Sequence, residues 1–274
     1  MEWLLLVLIG LAAGTLGSLI GLGGGIIIVP ALLALSISVS DFSSITPQIA
    51  AGTSLIITIV TAISSTITYV KHKTVDYYSG LILFIGTAPG GLLGAWVNKF
   101  LDVKDFQLYF GIFLILLSVI FFLRNRGAAR KRNENPIIKR TFTTPDGQSH
   151  TFGFNPYIAV PLTFVIGFTS GLFGIGGGAL LVPLMIMLYV FPPHIAVATS
   201  MFVILLTSIV GSAPHIIYGN VEWMYVLLLA PGAWIGAKLG SKINTRLKGN
   251  TVVTLLRIIL LILGIKMIYD SIMG

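Results

Sequence analysis

Long apolar runs separated by short polar joints are the main pattern along this chain. The runs lie at 3–20, 24–38, 47–70, 75–97 and 106–123, and again at 157–173, 177–191, 193–218, 221–243 and 250–269. The last three runs of each set approach or exceed the roughly 20 residues that a helix needs to cross a bilayer. The pattern predicts an all-α polytopic membrane protein in which the first two runs of each set form a short or broken helical hairpin.

Motifs on these runs occur twice and in the same order. GLGGGIIIVP at 21–30 returns as GIGGGALLVP at 174–183, and PQIAAGTS at 47–54 returns as PHIAVATS at 193–200. Repetition of this kind indicates a duplicated unit. It divides the chain into a first transmembrane repeat (1–123), a basic connector (124–155) and a second transmembrane repeat (156–274).

Composition and charge narrow the class of protein. Hydrophobic residues make up 55% of the chain and charged residues 9%, whereas soluble domains carry about 25% charged residues. The absence of cysteine excludes disulfides and thiolate chemistry. The formal charge is +8, but seven Lys and Arg residues fall in the connector, so they indicate a cytoplasmic loop and no nucleic-acid partner is expected.

Charge also orients the two copies. Lys71 and Lys73 follow the third run of the first copy, while the matching joint around Gly219 and Glu222 has no Lys or Arg. Basic residues of the second copy cluster one joint later, at 238–248. The positive-inside rule therefore predicts inverted copies with both termini outside. In the connector, β-prone segments flank a Pro-Asp-Gly turn signal, which leaves two interpretations, a small hairpin or a disordered tether.

The two glycine clusters are the predicted break points of the hairpins. Glycine tolerates positive φ and weakens a helix, so each cluster is expected to end one helix and begin another. The amide N–H groups of a new helix N-terminus suit an anion. Inverted repeats with broken helices are also how many carriers build their site. Tight helix packing through small residues is the alternative explanation.

The polar residues of the apolar runs leave further alternatives open. The repeated Thr-Ser pairs either donate to an oxyanion or coordinate Na⁺, or they bond carbonyls of their own helices. His215 is either a proton carrier or substrate donor, or a packed histidine. Arg257 either attracts the anion or extends to the cytoplasmic interface. The acidic residues lie at segment ends or in connectors, so no buried carboxylate relay, metal site, cofactor or enzyme activity is expected.

The glycine-to-proline element, repeated at 21–30 and 174–183 and followed each time by the Thr-Ser motif, resembles the sulfite exporter TauE/SafE family. This family is also described as the toluene-sulfonate uptake permeases. The resemblance extends from about Leu4 to Tyr269. It implies a secondary carrier that moves small sulfur-containing anions such as sulfite, sulfonates or sulfoacetate across the inner membrane, with neither direction nor coupling ion specified.

The residues and the resemblance together predict a secondary active transporter that works by alternating access. The predicted substrate-binding residues are Gly23, Gly24, Gly25, Thr53, Ser54, Gly176, Gly177, Gly178, Thr199, Ser200 and His215. The expected partners are the anion, a coupling ion (a proton or Na⁺) and membrane lipid, with a homodimer left open. A passive anion channel and a non-transporting membrane scaffold are the alternative functions.

Overall fold

The computed structural model describes residues 2–38, 42, 44–124, 136–143, 149–244 and 250–273. Within these residues the elements are α1 (Glu2–Ile20), α2 (Gly25–Ser38), α3 (Pro47–Lys71), α4 (Tyr77–Asn98), α5 (Val103–Arg124), β1 (Ile138–Thr143), β2 (Ser149–Phe154), α6 (Pro156–Phe173), α7 (Gly178–Met187), α8 (Pro193–Ile217), α9 (Trp223–Asn244) and α10 (Asn250–Met273). The predicted all-α polytopic architecture is confirmed.

Proline and capping side chains fix where several helices begin. Pro47 and Pro156 occupy the first turns of α3 and α6, where the missing N–H group would have no partner within the helix. Thr46 and Asn155 cap the same two helices, because their side-chain oxygens accept first-turn N–H groups at 3.3 and 3.0 Å. These local signals place the helix starts directly after the polar joints.

Helix length separates spanning from short elements. By length and composition, six of the described helices can cross a membrane, namely α1, α3, α4, α5, α6 and α8. By contrast, α2 has 14 residues and α7 has 10. At about 1.5 Å per residue, both are shorter than a hydrocarbon core of about 30 Å. Each copy therefore opens with a hairpin of one spanning helix and one short helix.

The helix α7 ends earlier than the apolar run that predicted it. That run covers 177–191, whereas α7 ends at Met187. Val190 adopts a φ of +59°, and the ring of Phe191 lies 3.9 Å, centroid to centroid, from the ring of Phe152 in β2. The last apolar residues of the run therefore form a loop that packs on the connector.

The described part of the connector contains the two strands. β1 and β2 pair antiparallel, residues 138–143 opposite 154–149, while the predicted Pro-Asp-Gly turn and residues 125–135 lie outside the described residues. Arg140 Nη2 lies 3.1 Å from Oδ1 of Asp76, a buried carboxylate just before α4. The connector thus packs against the joint that precedes α4 and the joint that follows α7.

The matching helices α3 and α8 contact each other and run in opposite directions. Near the start of α3, Thr53 Oγ1 accepts the backbone N–H of Glu222, which lies just beyond the end of α8, at 3.0 Å. Near the start of α8, Thr199 Oγ1 accepts the backbone N–H of Asp76, just beyond the end of α3, also at 3.0 Å. Each helix therefore begins where its counterpart ends.

The matching helices α5 and α10 are also antiparallel. Ser271 Oγ, near the end of α10, donates to the carbonyl of Lys104 at the start of α5 at 2.9 Å. Further along, Gly111 of α5 lies against Gly264 of α10. Opposite directions in two pairs of matching helices are the relationship that oppositely oriented copies require.

Rows of glycine join α1 to α9 and α4 to α6, and each of these pairs contains one helix from each copy. Gly10 of α1 lies against Leu229 of α9, and Gly240 of α9 lies against Thr15 of α1, so these helices are parallel. α4 and α6 meet in the same way, with Gly94 facing the backbone of α6. Small residues let backbones approach closely in a membrane. These contacts explain why glycine recurs at four-residue spacing along α1, α4 and α9.

Candidate functional site

Both predicted helix breaks are present. A first glycine loop (21–24) separates α1 from α2, and a second glycine loop (174–177) separates α6 from α7. Gly24 and Gly177, the residues just before the short helices, adopt φ values of +89° and +78°. Residues with a Cβ rarely adopt this conformation, which explains why glycine occupies these positions.

The two glycine loops meet at backbone-to-backbone distance. A Cβ placed on Gly25 would stand 2.7 Å from Ile175 Cα of the second glycine loop. A Cβ placed on Gly178 would stand 2.9 Å from Leu22 Cα of the first glycine loop. The starts of α2 and α7 therefore lie together where the two copies meet, and a side chain larger than hydrogen would separate them.

The repeated serines hold each loop from the other copy. Ser54 Oγ donates to the carbonyl of Gly174 at 2.8 Å. Ser200 Oγ lies 3.1 Å from the carbonyl oxygen of Gly21 and 2.8 Å from that of Val197 in its own helix, so its single proton is shared between the loop and the helix. Both serines are fully buried. The structure thus brings the predicted serines and glycine loops together, and the serines connect α3 and α8 to the loops.

The repeated threonines contact the opposite copy elsewhere. Thr53 and Thr199 accept the backbone N–H groups of Glu222 and Asp76, which immediately precede α9 and α4. Their hydroxyl oxygens are therefore engaged with joints between helices and not with the glycine loops. A direct role of these threonines toward the substrate stays a prediction.

His215 in α8 contacts α6, the spanning helix of the hairpin in the same copy. Its Nε2 lies 3.2 Å from the carbonyl of Gly171 in α6, and the side chain is fully buried. At the matching position of the first copy, Tyr69 donates its hydroxyl to the carbonyl of Ser18 in α1 at 2.8 Å. Both residues connect the end of one helix to the end of another, which favours the packing interpretation of His215. The side chain of Arg257 lies outside the described residues.

Two side chains that line the junction of the loops, Thr58 and Ile204, are not among the predicted site residues. Thr58 and Ile204 follow Ser54 and Ser200 by four residues, one helical turn, and both contact the space beside Gly176. Their four-residue spacing from the repeated serines is a signal that could have found them. Thr58 and Ile204 occupy matching positions but differ in chemistry, so a search for repeated identities passes over them.

The electrostatics of this junction depend on backbone and hydroxyl dipoles. Asp76 is the buried acidic residue among the described side chains. It lies just before α4, where it pairs with Arg140. The side chains that contact the glycine loops in the described core are Ser, Thr, Val, Ile and Ala. The positive ends of α2 and α7 therefore dominate the local field.

Comparison with known proteins agrees with this architecture. The sequence profile of the family described as "Sulfite exporter TauE/SafE" matches residues 6–267. The chain is 49% identical over 99% of both sequences to "Probable membrane transporter protein YunE" of Bacillus subtilis. It is 29% identical to "Probable membrane transporter protein MJ0441" of Methanocaldococcus jannaschii, over 96% of this chain and 94% of the relative. No solved structure matches.

The family match covers nearly the whole chain, including both glycine loops and the connector. The relatives are named as membrane transporters, and the described helices include six that can span a bilayer. The chain is a multi-pass membrane protein that belongs to the sulfite exporter TauE/SafE family of membrane transporters.

Proposed function

We propose that this protein is a secondary active transporter that moves a small sulfur-containing anion, of the sulfite, sulfonate or sulfoacetate type, across the inner membrane by alternating access. The observation that carries the proposal is the contact between the two glycine loops, each of which begins a new helix in the middle of the bundle. The substrate site lies where these helix starts converge.

The chemistry of the helix starts favours an anion. The first N–H groups of a helix have no partner within the helix, and the N-terminus carries a partial positive charge. Two such starts belong to α2 and α7, and no described carboxylate lies among the side chains that contact the loops. A cation would find neither a carboxylate nor a favourable helix dipole there, whereas an oxyanion would find donors.

The relationship between the copies supports alternating access. Antiparallel contact of α3 with α8 and of α5 with α10 makes the two ends of the bundle structurally similar. Ser54 and Ser200 connect each glycine loop to a helix of the other copy. Inverted bundles around a central site are a recurrent design of secondary carriers. The name of the family supports a sulfur oxyanion as the substrate.

Counterflow in proteoliposomes tests this function. Vesicles that contain the purified protein and a high internal concentration of sulfite should transiently accumulate labelled external sulfite above equilibrium, and sulfoacetate and taurine should be tried in parallel. A carrier exchanges substrate through one alternating site, so the label overshoots. Equilibration without an overshoot would identify a passive anion channel, and no flux of any of these anions would contradict the proposal. Proton and Na⁺ ionophores then identify the coupling ion.

The orientation of the copies has its own test, since the chain contains no cysteine to give background labelling. Lys71 and Ile217 are the last residues of the matching helices α3 and α8, and both are exposed. A membrane-impermeant maleimide should label Ile217→Cys in intact cells and Lys71→Cys only after permeabilisation. Labelling of both positions from the same side would exclude inverted copies.

A further inference from the structure

Six buried hydroxyl groups among the described residues have no hydrogen-bond partner, namely those of Thr58, Thr61, Thr66, Ser170, Tyr189 and Ser208. Buried Ser and Thr in membrane helices usually donate to a carbonyl three or four residues earlier, as Ser65 does to Thr61 at 2.7 Å. The hydroxyls of Thr58, Ser170 and Ser208 make no such bond, although their side chains are 0%, 1% and 0% exposed. A buried donor without a partner is costly, so these groups suggest a partner that binds.

Three of the six, Thr58, Ser170 and Ser208, converge on the second glycine loop. Ser208 Oγ lies 3.2 Å, and the methyl group of Thr58 2.5 Å, from the point where a Cβ on Gly176 would stand. Ser170 Oγ lies 3.5 Å from the equivalent point on Gly177, the N-cap of α7, which no side chain caps. Side chains from α3, α6 and α8 thus surround the start of α7.

Thr58 also contacts the first glycine loop, since its methyl group lies 2.9 Å from the point where a Cβ on Gly23 would stand, but Ser170 and Ser208 have no counterparts there. The repeated motifs lie 153 residues apart in the hairpins, at 21 and 174, and 146 residues apart in the long helices, at 47 and 193. With these spacings Ser170 matches Gly17, and Ser208 matches Ala62. Thr58 corresponds to Ile204, which contacts the junction through carbon atoms alone. The two copies therefore share the backbone of the site but differ in its donors.

We propose that the anion site is one-sided and lies at the second glycine loop, where Thr58, Ser170 and Ser208 donate to the substrate together with the first amides of α7. This inference rests on the proposed anion transport. Three hydroxyls from three helices suit a small oxyanion with at least three acceptor oxygens, such as sulfite or the head group of a sulfonate. Glycine at 176 and 177 adds no side-chain atom of its own between these donors and the start of α7.

Isosteric variants test this site with sulfite as the probe. Thr58→Val, Ser170→Ala and Ser208→Ala each remove one hydroxyl, and Ser212→Ala is the matched control. Ser212 is also buried in α8 but donates to the carbonyl of Ile209 at 3.0 Å. The sulfite concentration at half-maximal thermal stabilisation of the full-length protein should rise about tenfold for each lost hydroxyl and roughly a hundredfold for the Ser170→Ala/Ser208→Ala double variant. The control should match the wild type.

The melting temperature of the sulfite-free protein is a second readout, which separates a role of these hydroxyls in binding from a role in folding. Removing an unpartnered hydroxyl should leave the melting temperature of the sulfite-free protein unchanged or higher, whereas Ser212→Ala should lower it slightly. If the three variants melt earlier and keep the wild-type response to sulfite, their hydroxyls serve folding and the one-sided site is wrong, while anion transport stands. If the wild-type protein itself responds to neither sulfite, sulfate nor sulfoacetate, the proposed function fails.

Discussion

Gly24→Val and Gly177→Val should each reduce sulfite transport in proteoliposomes by about a hundredfold or more while the protein still inserts into the membrane. Both positions have positive φ, +89° and +78°, where a β-branched residue costs about 1–3 kcal/mol. A Cβ on Gly24 would also stand 3.0 Å from the carbonyl oxygen of Ala13. The helix starts would therefore shift, and their amides would no longer face a common site.

Gly219→Val provides the matched control for backbone strain. Gly219 adopts a φ of +71° in the joint between α8 and α9, and a Cβ there would meet no atom within 4 Å. Its transport rate should stay within about twofold of the wild type, because the strain lies outside the loops. Initial rates are compared per amount of reconstituted protein, with size-exclusion profiles to verify folding. Full transport by Gly177→Val, or an equal loss in Gly219→Val, would refute the role of the loops.

The glycine loops could be predicted from the sequence because their cause is local. A positive φ is a property of one residue, and a run of glycines between apolar segments interrupts a helix whatever surrounds it. The helix starts at Pro47 and Pro156 are equally local, since proline and the preceding capping side chain suffice. Length and apolar composition then fix which helices can span a bilayer.

The partners of the repeated hydroxyls could not be predicted, because they depend on the packing of the two copies. Thr53 and Ser54 are adjacent in the sequence, yet one accepts an N–H before α9 and the other donates to Gly174. A search for repeated residues also selects symmetric positions. Ser170 and Ser208 match Gly17 and Ala62, so that search does not find them.

The end of α7 could not be predicted from the apolar run for a related reason. Apolar residues continue to 191, and hydrophobicity alone does not distinguish a helix that faces lipid from a loop that packs on protein. The ring of Phe191 is covered by Phe152 of the connector, which lies 39 residues earlier in the chain. Such a contact between distant elements becomes visible only in the folded chain.

Gly90→Ala/Gly94→Ala should strongly destabilise the protein, whereas Gly91→Ala should not. A Cβ on Gly90 would stand 2.8 Å from the backbone nitrogen of Phe168 in α6, and a Cβ on Gly94 would stand 2.8 Å from that of Leu172. Overpacking costs about 1–3 kcal/mol per site, so the double variant should lose about 2–6 kcal/mol. The nearest atom to a Cβ on Gly91 is 3.6 Å away, and alanine there should be neutral or stabilise the helix by up to about 1 kcal/mol.

Thermal unfolding in detergent measures this difference between adjacent glycines of one helix. Helix propensity alone predicts that alanine stabilises all three positions equally, so only close contact between α4 and α6 separates them. α4 belongs to the first copy and α6 to the second, which means that the comparison tests the packing between copies. Equal stability of the double variant and Gly91→Ala would show that the backbones of α4 and α6 do not touch. The contact between α4 and α6 would then not be the scaffold that holds the two glycine loops together at the centre of the bundle.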